Sequence, residues 1–183
     1  MTKVGMQVNP DENEFTHILY EMKMYLVTYG LTYSDQIFTN LVRANHAIHL
    51  RNLAYFFCRD KKGHYWHVSD FVNDRSRIRT LSGKQFSRIG QYASGATGHL
   101  VDDRVSETYK KETRQVEEKA FPHIVNAIQD FLQALETDVV STYEHKWNDP
   151  CARLYAAEVE RLCKACSDGR ICTLTGSCHI SIG

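Results

Sequence analysis

The densest group of side chains able to move protons or hold anions lies in NLVRANHAIHLRN, where Arg43, Asn45, His46, His49, Arg51 and Asn52 stand among apolar residues. A second group, Gly98-His99-Leu100 with Arg104, lies further along the chain. Two imidazoles and a guanidinium around one phosphate suffice to cleave RNA without a metal. One His removes the ribose 2′-hydroxyl proton, the other protonates the leaving oxygen, and Arg holds the anionic phosphorane. His49, Arg51, His99 and Arg104 are therefore the candidate catalytic residues, with RNA as the candidate ligand. The competing reading takes the same side chains as a hydrogen-bonded network between the second and third helices, because polar groups in a helical core need partners. Asn45, His49, Asn52 and Phe56 lie at spacings of four, three and four, so the polar groups among them share a helix face with a core aromatic.

Cysteine chemistry is the next candidate. Cys163-x-x-Cys166, followed by Cys172, Cys178 and His179, offers thiolates and an imidazole for a tetrahedral zinc ion, but the second half lacks the paired spacing. Free thiols on an irregular tail are the plainer reading. Arg75, Arg77, Arg79, Lys84 and Arg88 could line a phosphate-binding surface, with a solvated face as the alternative. No Gly-rich phosphate loop, nucleophile elbow or His-Glu-x-x-His pattern occurs, so no cofactor is expected.

These residues need elements to position them, and the apolar periodicity supplies helices. Phe15, Ile18, Leu19, Met22, Leu26 and Tyr29 recur at spacings of three and four, which predicts a first helix over 14–29. Thr32 or Ser34 caps a second helix running to about Cys58 on the face of Ile37, Leu41, Ile48, Leu53 and Phe56. Residues 59–81 have no sustained period and read as a long loop. From Ser82, Phe86, Ile89, Gly90, Ala93 and Leu100 predict a third helix whose small residues suit close approach to a neighbour. The charged stretch 102–112 is undecided. Pro122 is expected to open a fourth helix along Ile124, Val125, Ile128, Phe131 and Leu135, reaching towards Trp147. Asn148 or Asp149 ahead of Pro150 caps a last helix to about Cys166. The fold class is all-α: an antiparallel bundle of four to five helices over 1–166, with an irregular Cys-containing tail over 167–183.

The stretch NLVRANHAIHLRNLAYFF resembles the helix that carries a His-x-Arg-x-Leu-x-x-Phe pattern in a large group of bacterial helical-bundle proteins, and GHLVDDR resembles that group's later His-Leu-x-x-x-Arg segment. The matching residues are His49, Arg51, Leu53 and Phe56, then His99, Leu100 and Arg104; the likeness spans roughly residues 14 to 137. The group is more remotely similar to HEPN domains, many of them ribonucleases of toxin and antiviral systems. The resemblance implies a helical protein that binds or cleaves RNA, and a homodimer, since HEPN-type sites often form across a two-fold interface. The HEPN spacing of Arg, four to six residues, then His occurs as Arg43 with His49 and Arg59 with His64. Arg43 is followed by Ala44 where that pattern usually has a polar residue.

Composition narrows the setting. Lys+Arg and Asp+Glu balance at 22 each, so no overall field draws the chain to nucleic acid or an anionic membrane, and any such partner must meet a local patch. No apolar run has the length of a signal peptide or a membrane span, which predicts a cytoplasmic chain whose Cys are reduced. The alternative to an RNA-directed protein is a non-catalytic interaction or regulatory module built on a structural His/Arg/Asn network.

Overall fold

The structure, a computed structural model, describes residues 13–29, 31, 36–97 and 107–168. It is an all-α bundle. Its helices are α1 (Glu14–Thr28), α2 (Gln36–Phe56), α3 (Gly83–Thr97), α4 (Glu107–Leu135), a single turn α5 (Glu144–Trp147) and α6 (Pro150–Ser167). The five longer helices close a ring, with contacts between α1 and α2, α2 and α3, α3 and α4, α4 and α6, and α6 back to α1. None of the described helices is long and apolar enough to cross a membrane.

The starts of α1 and α6 have a local cause. Asn13 accepts the amide of Phe15 at the head of α1, and its own amide reaches the Lys146 carbonyl at 2.6 Å, tying that end to α5. Asp149 accepts the amides of Cys151 and Ala152, with Pro150 in the first turn of α6, as the Asp-Pro pair predicts. The apolar stripes then meet in one aromatic-rich core. Phe15 packs on Phe71 and Trp147, and Phe56 on Phe57, Phe71 and Phe131.

The long connection between α2 and α3 is irregular but fastened. Its two short 3-10 turns, Val68–Asp70 and Arg75–Arg77, lie between isolated bridges that pair Cys58 with Leu81 and Val72 with Val139. Buried His67 holds the centre. Its Nε2–H donates to the Cys58 carbonyl at 2.7 Å, while Nδ1 accepts from the Ser69 backbone amide and hydroxyl.

Three expectations about the elements are corrected. Pro122 does not open the fourth helix; it lies inside α4, which begins at Glu107. The apolar stripe continues upstream through Val116 and Ala120, and the exposed ring of Pro122 turns its lost hydrogen bond towards solvent. Nor does α4 reach Trp147. It stops at Leu135 because Val139 and Val140 turn away to pair with the α2–α3 loop. Gly90 does not mediate close helix approach, since a Cβ built there meets no atom within 4 Å.

Candidate functional site

The polar cluster of α2 meets α1, with α4 at one end, and not α3 as expected. Helix rotation explains the difference. His46 and His49 lie about 60° apart on one side of α2, whereas Arg51 is turned about 160° from His49. Both His are buried and Arg51 is exposed.

Glu21 of α1 is the centre of the outer half of the cluster. Its Oε2 accepts from His49 Nδ1 at 2.7 Å and from Asn52 Nδ2 at 3.1 Å. A carboxylate can only accept, so His49 Nδ1 carries a proton. That Nε2 is shielded from solvent and has no hydrogen-bond partner among the described residues. The Tyr20 ring stands edge-on to the His49 imidazole at 6.0 Å.

The inner half is built around His46. The Thr28 hydroxyl donates to the Met24 carbonyl at 2.6 Å, so its oxygen accepts from His46 Nδ1 at 3.0 Å. The Tyr25 ring stacks on the imidazole at 4.7 Å. His46 Nε2 faces Glu117 Oε1 of α4 at 3.3 Å without hydrogen-bond geometry. Burial, aided by the neighbouring His49, pulls the His46 pKa down to about 4, so the ring is neutral near pH 7. The ion-pair distance to Glu117 is accordingly a contact between a carboxylate and an uncharged ring. Burial also raises the Tyr25 phenol well above its usual range, with Glu117 adding to the shift.

The remaining candidates divide by location. Arg43 is exposed and about 120° around α2 from His49, so the two do not share a face despite their HEPN-like spacing. Arg59 and His64 are both exposed on the loop. His99, Leu100 and Arg104 lie outside the described residues, as do Cys172, Cys178 and His179. Cys163 and Cys166 lie on α6, where burial pushes their thiols up to about 12 and about 11. No group of three or more His, Cys, Asp or Glu that could hold a metal ion occurs among the described residues. Of the basic loop, Arg79 pairs with Asp130 and Arg77 with Asp74, while Arg75 donates to the Arg59 carbonyl.

Sequence reasoning missed Glu21, Thr28 and Glu117, because each contributes one polar atom at the margin of an apolar stripe. Glu21 carried a faint signal: it lies three residues after Ile18 and four before Tyr25, on the border of the buried face of α1. Geometry and comparison define the chain only as a helical bundle with a buried interhelical polar cluster. It matches no family model, no curated protein and no solved structure.

Proposed function

We propose that this chain is a non-catalytic helical interaction module, in which the Glu21–His49–Asn52 and Thr28–His46 bonds fix the register of α1 against α2. The observation that carries this reading is the burial of His49, hydrogen-bonded through Nδ1 and shielded at Nε2, while Arg51 faces solvent on another side of the same helix. Side chains used as hydrogen-bonded fasteners are expected to be enclosed in this way. An acid-base residue must instead come within hydrogen-bond reach of the substrate.

A second reading, an HEPN-like protein that binds or cleaves RNA without a metal, rests on one specific feature. Glu21 orients His49 through Nδ1 and leaves Nε2 without a hydrogen bond among the described residues, the orientation that a carboxylate gives the imidazole of a general base. Opening the cover over Nε2 would then let His49 act with His99 and Arg104, while Arg51, on another side of α2, takes no part. Incubating mixed RNA with the wild type, His49→Ala and His99→Ala separates the readings. The module predicts no cleavage by any of the three, and a loss of about 2 kcal/mol of stability in His49→Ala, which removes one of the two donors to the half-buried Glu21 carboxylate and leaves it only Asn52. Cleavage by the wild type that disappears in His49→Ala would overturn the module in favour of the nuclease.

A further inference from the structure

The loop between α2 and α3 carries positive charge that its own carboxylates do not neutralise. Residues 59–79 hold six Lys and Arg against three Asp, all six cations exposed, in a sequence whose charges balance overall. Lys61 pairs with Asp70, Arg77 with Asp74 and Arg79 with Asp130. Arg59, Lys62 and Arg75 have no carboxylate partner among the described residues, and Asp60 is the one Asp of the stretch without a cation there.

These three cations meet at one corner, around an open aromatic ring. Lys62 and Tyr65 close a turn, with the Tyr65 amide 3.4 Å from the Lys62 carbonyl and Gly63 at a φ of 59°, in the left-handed region that favours glycine. Tyr65 stacks on Tyr55, near the end of α2, with ring centroids 4.2 Å apart and planes 20° from parallel. At 56% exposure its ring has one face covered by Tyr55 and the other open. Arg59 follows Tyr55 by four residues, and the Arg75 guanidinium donates to the Arg59 carbonyl at 2.9 Å. Burial raises the Cys58 thiol and the positive charge of Lys62 opposes that shift, which puts Lys62 beside the same corner. His67 and the bridge from Cys58 to Leu81 hold the loop beneath, so little ordering is left to be done on binding.

We infer that this corner binds single-stranded nucleic acid, with a base stacked on the open face of Tyr65 and neighbouring phosphates on Arg59, Lys62 and Arg75. The inference rests on the interaction-module reading and names its partner, and it uses none of His49, Arg51, His99 and Arg104. An exposed aromatic ring among unpaired cations supplies both contacts that a single strand offers, a flat base and a charged backbone. In a duplex the bases are already stacked on one another, so the ring selects an unpaired strand. An acidic peptide fits less well, because the face of an aromatic ring carries partial negative charge and repels a carboxylate. A lipid surface would need apolar side chains to insert, and Val68, Phe71, Val72, Ile78 and Leu81 of the loop are buried.

Fluorescence anisotropy of the full chain with labelled oligouridylate and oligothymidylate of about 12 nucleotides tests the inference, with far-UV circular dichroism as the folding control. The wild type is expected to bind at least one of the two with a micromolar Kd that rises steeply with salt. Tyr65→Ala should weaken binding about 10-fold, and Tyr65→Phe, which keeps the ring, should leave it unchanged. Arg59→Gln and Lys62→Gln should each reduce the slope of log K against log salt by about 0.7. A wild type that binds neither strand, or binding that ignores Tyr65→Ala, overturns the inference. A duplex of the same length bound as tightly as the strand overturns it too. Poly-glutamate that displaces the strand at equal affinity would pass the corner to an acidic protein partner. Failure to bind leaves the module reading standing, which falls separately on His49-dependent RNA cleavage.

Discussion

Acidification should unlatch the α1–α2–α4 junction through His46. The ring is enclosed by Tyr25, Thr28 and Glu117, and its pKa falls from 6.5 to about 4 in the folded chain, chiefly from burial and secondarily from His49. A His with a depressed folded pKa supports the fold fully above its unfolded value and progressively less as pH falls, because the unfolded chain takes up the proton first. Linkage then gives a loss of about 2 kcal/mol between about pH 7.5 and about pH 5, rising to about 3 kcal/mol once both states are protonated. Urea unfolding of the wild type and His46→Gln at the two pH values isolates this contribution. Gln does not titrate, and its amide can still donate to Thr28. The stability difference between the proteins should shift by about 2 kcal/mol in favour of His46→Gln on going to the lower pH. Parallel profiles would refute the reasoning. They would mean that the Glu117 carboxylate, 3.3 Å from Nε2, stabilises the imidazolium enough to cancel the cost of burying it.

Further outcomes follow from particular positions. Gly90→Ala should stabilise the protein by about 0.8 kcal/mol in thermal or urea unfolding, since the helix gains propensity and the added methyl meets no atom. A loss there would mean that α3 sits closer to a neighbour than described. Asp149→Ala should cost about 1 kcal/mol in the same assay, because the amides of Cys151 and Ala152 lose their acceptor at the start of α6. Alkylation of the folded chain near neutral pH, read by peptide mapping, should label exposed Cys151 well before buried Cys163, whose thiol is pushed up to about 12. Equal rates at the two would contradict the burial of α6 against the core.

Much of the architecture was legible before any coordinates. The stripe from Phe15 to Leu26 and the stripe from Ile124 to Leu135 each recur at the helical period, and the Asp149-Pro150 pair supplies a local start signal, so α1, the second half of α4 and the head of α6 follow from neighbours in sequence. Pro122 shows where local rules stop. A proline reads as a helix start, yet the packing of Val116, Ala120 and Phe121 carries the helix through it at an exposed turn.

The site divides along the same line. By itself the sequence determined that Asn45, His49, Asn52 and Phe56 share one face of a helix, whereas joining Arg51 to His49 in one candidate site overlooked the turn of about 160° that two residues of helix put between them. Only the tertiary structure decided their partners. Glu21 lies 28 residues before His49 in the chain, so no local spacing relates them, and the 2.7 Å contact exists because α1 and α2 bury their stripes against each other. The same packing leaves Leu41 and Ile48 exposed, since α1 and α3 pack against other sides of α2.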